Sequence, residues 1–281
     1  MDADLVAVLR CPVCADALGL NDRTASCPRG HSYDVAKQGY LNLLPSASTG
    51  IEGDSAAMVG ARTVFLGRGH YEPIRDALIL AATYDGLQVD GNELVVEVGA
   101  GTAYYLAGVV GATPGRRGIA LDVSRYAARR AAKVDPRIGS VVCDAWRELP
   151  LLDDSAQLML NVFAPRNAAE MARVLAPGGT LLVVTPNQDH LVELVGVLGL
   201  VKVDEEKERR LQESLAGKFD QTGSEVVEST MRLDRTAIEQ LVLMTPSARH
   251  LSHRELAHKI AVLAEPAMVT LSVTLSTWRV A

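Results

Sequence analysis

Aromatic side chains are scarce in this sequence: two tryptophans, seven tyrosines and three phenylalanines make up 4% of 281 residues. Any site that stacks on bases must therefore rest on few residues. Positive charge is also in deficit. Lys and Arg number 28 against 34 Asp and Glu, a net charge of −6. That excludes a chain that coats nucleic acid by bulk electrostatics, though not one with a local basic face. Long apolar runs are missing too. The longest uncharged stretch, Val98 to Gly115, has 18 residues broken by five glycines, a proline and polar Thr and Tyr, so neither a membrane span nor a membrane partner is expected. The opening MDADLVAVLRC has two acids and no basic start, so no secretory signal is expected and a cytoplasmic location is. Apolar and charged fractions of 48% and 22% are ordinary for globular chains and exclude wholesale disorder. Length predicts about two domains.

Cysteines are few and unevenly placed: Cys11, Cys14 and Cys27 cluster, while Cys143 stands alone. A chain of this size without a signal segment does not fit a disulfide scaffold, and clustered cysteines in a reducing compartment read first as metal ligands. Cys11-Pro12-Val13-Cys14 is followed after twelve residues by Cys27-Pro28-Arg29-Gly30-His31. Three thiolates and an imidazole satisfy tetrahedral zinc, and four protein ligands leave no open position for water, so the predicted role is structural. The intervening ADALGLNDRTAS suits a hairpin turning at Asn21-Asp22. A domain of about 45 residues is too small for an adequate core, and a metal supplies the missing stability. Tyr33 and Tyr40, interleaved with Lys37 and Gln38, fit either a base-stacking face or the closing of that small core. Pro45 to Gly50 reads as a linker.

The rest alternates strands and helices. Ser55 is placed to cap a helix, and a second helix starts near Tyr71. Strands are expected at ELVVEV, GIALDV, SVVCDA, QLMLNVF and TLLVVTP, with helices between them, and AMVTLSVTLSTWRV alternates as an antiparallel strand does. The expected fold is α/β: a Rossmann-like, seven-stranded class I methyltransferase domain (residues 86–281) preceded by a helical linker or cofactor cap (46–85) and a small zinc-binding domain (1–45).

Glu97-Val98-Gly99-Ala100-Gly101-Thr102-Ala103 follows a strand and opens a helix, the setting of a nucleotide-type ligand. Gly99 and Gly101 allow close backbone approach. A dinucleotide fingerprint would want glycine where Tyr104 stands, and an acid such as Glu97 suits a ligand amine, so S-adenosylmethionine is favoured over a pyrophosphate cofactor. Asp122 ends the second strand, placed to accept the ribose hydroxyls, and Asp144 ends the third, placed for the adenine amino group. The alternative is that both acids merely cap helices.

CPVC…CPRGH, AKQGYLNLLP, GDSAAMVGAR, GHYEPIRDAL, VGAGTAYYL, LDVSRYAARRAA, NVFAPRN, LAPGGTLLVVTP and DHLVEL together resemble the 23S ribosomal RNA guanine-N1 methyltransferases across essentially the whole chain. NVFAPRN and TPNQDHLVEL look most like the tylosin- and mycinamicin-resistance subgroup of actinobacteria. The resemblance implies zinc on Cys11, Cys14, Cys27 and His31, and cofactor contacts at Tyr71, Gly101-Thr102 and His190. It implies further a 23S rRNA hairpin beside the peptide exit tunnel as substrate, helped by the zinc domain, a contribution to macrolide resistance, and a homodimer. Ala103 departs from the pattern, since many relatives have a third glycine there. Asn161, in NVFAP at the fourth strand end, is expected to orient the guanine; a turn-forming role is the alternative. Two basic clusters are candidates for RNA: Arg116-Arg117 with Arg125, Arg129, Arg130 and Lys133, and Arg62 with Arg68 and Arg75. The acids Asp204 to Glu206 would oppose RNA. Two other functions fit the residues: a small-molecule methyltransferase with a structural zinc cap, and a non-catalytic zinc-containing RNA-binding protein.

Overall fold

In the computed structural model, residues 1–45, 52–83, 93–200, 206–245 and 253–281 are described. The expected linker beyond Pro45 and the acids Asp204 and Glu205 lie outside them.

A sheet of eight strands organises the chain, in the order β10-β11-β9-β8-β5-β6-β7-β4. Its centre is parallel: β5 (Leu94–Val98), β6 (Arg117–Asp122), β7 (Ile138–Val142), β8 (Ala156–Val162) and β9 (Leu175–Pro186). All five residues of β5 and of β7 are buried, as a strand covered by helices on both faces requires. β11 (Ala267–Val280) runs antiparallel to both β9 and β10 (Phe219–Leu233). Strand order reverses between β5 and β8, and the crevice at that switch, over the carboxyl ends of the strands, is where α/β sheets bind ligands.

Seven of these strands, β5 to β11, come from the expected seven-stranded domain, and the eighth is added by the N-terminal segment. β4 (Leu41–Asn42) pairs parallel with β7, and Leu43 N–H donates to Val142 O at 3.0 Å. The segment expected as a separate zinc domain thus supplies the sheet's edge. Beyond α1 (Ala3–Ala7) it holds the small sheet β1 (Gly19–Asn21), β2 (Thr24–Ser26) and β3 (Ser32–Asp34), turning at Asp22. It does not rely on metal alone for a core. Leu5, Val6, Leu9, Leu41 and Leu43 share one apolar cluster with Ile119, Leu121 and Val141 of the large sheet.

Short helices precede and follow the strands. α2 (Ala56–Gly67) is capped by Ser55, whose hydroxyl accepts Met58 N–H, and α3 (Glu72–Thr83) follows. α4 (Tyr104–Ala112) starts from Ala103, held at φ 58°, the left-handed region that a glycine adopts freely. α5 (Arg125–Ala131) is capped by Ser124. The capping role considered for Asp122 belongs to Ser124 instead. No helix among the described residues is long and apolar enough to cross a membrane.

Candidate functional site

At the N-terminus the four residues expected to hold zinc converge: one ligand atom from each of Cys11, Cys14, Cys27 and His31 lies within 4.8 Å of every other. His31 Nδ1 stands 3.3 Å from Cys27 Sγ and 3.6 Å from Cys11 Sγ, and Cys14 Sγ is 3.5 Å from Cys27 Sγ. Tetrahedral zinc with bonds of about 2.3 Å to sulfur and 2.0 Å to nitrogen requires ligand separations of roughly 3.5–3.8 Å, so the donor set fits. Tyr33 places its hydroxyl 3.2 Å from Cys11 Sγ, which favours its structural reading.

A cavity of about 580 Å³ opens at the carboxyl ends of β5 to β9, within the size range of small-molecule sites. Gly99, Gly101, Asp122, Asp144, Tyr71 and His190 line it, and so do Arg62, Trp146 and Phe163. Gly99 is needed for packing: at φ +69° its missing Cβ would stand 2.5 Å from Ala164 Cβ. The loop after β8 therefore closes directly over the glycine loop.

Asp122 holds that loop in place. Oδ2 accepts Gly101 N–H at 2.7 Å and Oδ1 accepts Ser124 N–H at 2.8 Å. Burial pushes its carboxyl upward, while the two N–H donors favour the ionised form. Asp144 Oδ1 accepts Trp146 N–H at 2.9 Å. Tyr71 and His190, 119 residues apart, meet with the hydroxyl 3.2 Å from Nε2. Ser272 N–H donates to His190 Nδ1 at 3.2 Å, so that nitrogen carries a lone pair. With the ring neutral, Nε2 holds the proton and donates to Tyr71. Phe163 completes this aromatic group, its ring 6.0 Å from His190 and tilted by 29°.

Three residues expected at the site, Asn161, Glu97 and Thr102, lie outside the cavity lining. Asn161 does not face the cavity: it is fully buried, Nδ2 donates to Pro165 O at 2.8 Å, and Oδ1 has no hydrogen-bond partner among the described residues. It shapes the 161–165 turn. Glu97 and Thr102 are likewise not in the lining. Glu97 is buried behind the glycine loop, where Oε2 accepts Leu106 N–H at 3.1 Å at the start of α4. Burial pushes its carboxyl up to about 8, against the Leu106 N–H, which favours the charged form. Between the ordinary value of 4.5 and about 8, the folded protein therefore holds a proton that the unfolded chain has released. Stability should fall as pH rises through that window. The thermal midpoint measured from pH 5 to 8 checks this: Glu97→Gln, which still offers an acceptor to Leu106, should lose this part of the slope. An unchanged slope would rule out Glu97 as its source.

The basic clusters separate sharply. Arg116 is fully buried against Glu93 at 2.7 Å, and Arg117 pairs with Asp4 at 3.0 Å. Arg62 pairs with Asp54, Arg68 with Asp234, and Arg75 with Glu72 and Asp76. Arg125, Arg129, Arg130 and Lys133, on and just after α5, are exposed and make no ion pair among the described residues. The scarce aromatics sort in a similar way. Those exposed among the described residues are Tyr126 (49%), Trp146 (61%) and Phe163 (41%): one on α5, two in the cavity wall. A smaller cleft shares Cys143 and Asp144 with the main cavity and reaches Arg10, Cys11 and Pro12 beside the zinc ligands.

Arg62, Trp146 and Phe163 were not singled out for this site from sequence. Phe163 carried one signal, its place within NVFAP, but its backbone at φ 53° could not be read from residue types.

Comparison with known proteins gives a consistent picture. The model of the zinc ribbon at the RlmA N-terminus matches residues 9–48. A 23S rRNA (guanine(748)-N(1))-methyltransferase of Streptomyces fradiae is 47% identical over 279 residues, covering 99% of each chain. A protein of Micromonospora griseorubida assigned as a 23S rRNA (guanine-N(1)-)-methyltransferase is 45% identical over 294 residues, again covering 99% of each. Among solved structures, a chain from the complex of the Haloferax volcanii Trm112 methyltransferase activator with its methyltransferase has a TM-score of 0.50 at 18% identity. It aligns with 83% of this chain and 99% of its own length, a likeness of fold alone.

Proposed function

The chain belongs to the 23S rRNA (guanine-N1)-methyltransferase family, and from that premise we propose that it methylates N1 of a guanine in a 23S rRNA hairpin, using S-adenosylmethionine and a structural zinc. The observation that carries this reading is that the glycine-loop cavity and a cleft beside the zinc ligand Cys11 share two wall residues, Cys143 and Asp144. A small-molecule enzyme has no evident need for a zinc lobe against the wall of its cavity, and a binding protein has no need for the Asp122 clamp. Bound S-adenosylmethionine supplies an activated methyl group on a sulfonium. The protein's task is then to bind, orient and exclude water.

In this reading Asp122 receives the ribose, Asp144 the adenine edge, and the Tyr71–His190 pair the wall beside the methionyl tail. Asn161 acts at one remove: its bond to Pro165 O fixes the turn that presents Phe163. A target base lifted from its stack meets the exposed rings of Phe163 and Trp146. Stacking on aromatics is worth about 1–3 kcal/mol per base. As the N1–methyl bond forms, the carbon–sulfur bond breaks, and the N1 proton leaves to solvent.

RNA approaches along α5, whose cations are free to meet phosphate. The zinc lobe adjoins this face, since a Cβ on Gly39 would stand 3.5 Å from Ala132 Cβ at the end of α5. Reversing Arg129 and Arg130 to Glu should weaken hairpin binding by about 10-fold or more at low salt and flatten the dependence of log Kd on log salt. Affinity for the cofactor should not change. Equal effects of reversing Arg68 and Arg75, which are already paired, would refute α5 as the docking face.

Incubation with labelled S-adenosylmethionine and unmodified 23S rRNA, followed by mapping of the modified base, tests the whole reading. Label at guanine N1 supports it, and cofactor binding without transfer to RNA would end it. We place the reaction in the cytoplasm, with macrolide resistance as its consequence. A homodimer that sets two zinc lobes around one RNA is checked by light scattering with and without the hairpin.

A further inference from the structure

Arg62 is the one lysine or arginine among the described residues lining the main cavity, where it faces Glu52, Asp54, Asp122 and Asp144. Its stem crosses the glycine loop, so that a Cβ on Gly101 would lie 3.2 Å from Arg62 Cδ. Nη2 donates to Asp54 Oδ2 at 2.9 Å and to Met244 O at 2.8 Å. These contacts tie α2 to the segment after α9 (Arg235–Leu243). A guanidinium has five N–H donors, and these bonds use only the two on Nη2. Nε is buried with no hydrogen-bond partner among the described residues. A buried donor left unpaired is rare and costly in a native protein. Beside a ligand cavity, it is a donor awaiting its acceptor.

The cavity's charge indicates what that acceptor is. Four carboxylates suit a ligand bearing a sulfonium and an ammonium. The same ligand class ends in an α-carboxylate, which a wall of acids would repel unless a cation stood among them. The planar fork of arginine matches a carboxylate, and such charge-assisted bonds are the strong ones.

We propose that Arg62 binds the α-carboxylate of the cofactor's amino-acid tail, with the donors left unused by Asp54 and Met244. The inference rests on the cofactor reading above and assigns the residue that recognises one end of that molecule. It also gives the Arg62–Asp54 pair a function: Asp54 holds the guanidinium over Gly101, so that its remaining donors are oriented before the ligand arrives.

Calorimetric titration with two ligands tests this. One is S-adenosylhomocysteine. The other is S-adenosyl-3-thiopropylamine, the same molecule without its carboxyl group. The natural protein should prefer the first by about 10- to 100-fold, the range of a hydrogen bond to a charged partner. Arg62→Met should lose that preference while binding the carboxyl-free ligand within about 3-fold of the natural protein, and Arg62→Lys, with charge but no fork, should fall between. Equal weakening of both ligands by Arg62→Met would reduce Arg62 to a strut between α2 and Met244 and overturn the proposal. An undiminished preference would assign the carboxylate to another donor and overturn it as well. A natural protein that binds neither ligand would instead defeat the cofactor reading itself. Should Arg62→Met fail to fold, Arg62→Lys decides by the same ratio.

Discussion

Asp122→Ala should lower affinity for S-adenosylhomocysteine by at least about 100-fold and destabilise the protein by about 2–4 kcal/mol. The estimate follows from what the carboxylate does in two directions. Toward the protein, it accepts Gly101 N–H and Ser124 N–H, joining the glycine loop to the start of α5. Hydrogen bonds to a charged group contribute about 1.5–3 kcal/mol each, less what the vacated groups recover from water. Toward the ligand, it offers its remaining lone pairs to two ribose hydroxyls. Asp122→Asn separates the two functions: its one amide oxygen can keep a single backbone bond while the acceptor for the second is gone. It should therefore fall between the natural protein and alanine in melting temperature, yet lie close to alanine in affinity. Chemical denaturation and calorimetry read the two quantities independently. If Asp122→Ala binds within 3-fold of the natural protein, the ribose role is refuted.

The same residue shows how far sequence reasoning reaches. Asp122 follows Gly101 by 21 positions at the end of a strand. That spacing was legible because one β-turn-α unit must carry the ligand to a fixed place on the next strand. The zinc cluster was legible for a similar reason, since a tetrahedral ion restricts ligand types and local spacing. What could not be read depended on partners distant in the chain. Arg116 was counted as an RNA cation because nothing near it in sequence reveals Glu93, which neutralises it inside the core. Arg68 looked free until Asp234 came to meet it. Of the two clusters only α5 kept its charge, since no ion pair reaches its cations among the described residues.

β10 went unread for a different reason. It is an edge strand with most of its fifteen residues exposed or half-exposed, so it lacks the apolar alternation by which strands are recognised. β4 is only two residues long and owes its place to β7. Asn161 lies at the strand end where the sequence places it, but the direction of its side chain could not be read from the sequence. From β8 its side chain turns into the protein toward Pro165 O, and Phe163, two residues later, faces outward because its backbone takes the left-handed conformation. Local sequence thus sets which residues surround the crevice, while long-range packing decides which of them face into it.

Removing zinc should separate the two activities of the chain, RNA transfer falling by about 100-fold or more while cofactor affinity stays within about 3-fold. Among the described residues, none before Glu52 lines the cofactor cavity, and the zinc ligands are not among its walls. The ligands instead hold β1, β2 and β3, three strands of three residues each. A sheet that small is not independently stable in water. Metal binding in such modules is folding free energy, with apparent values of about 10–16 kcal/mol in zinc-finger peptides. Without it the small sheet should melt. α1 and β4 should persist, because Leu5, Leu9, Leu41 and Leu43 are buried in the core of the large sheet. Cys27→Ser, or chelation of the natural protein, should therefore yield a chain that proteases cut between β1 and β3 and that still melts cooperatively. Single-turnover transfer to the hairpin and titration with S-adenosylhomocysteine measure the two sides. Collapse of cofactor affinity in step with transfer would show that the apolar contact between lobe and sheet carries the metal's influence into the cavity. Full transfer by the metal-free protein would remove the zinc lobe from RNA recognition and leave α5 as the docking face.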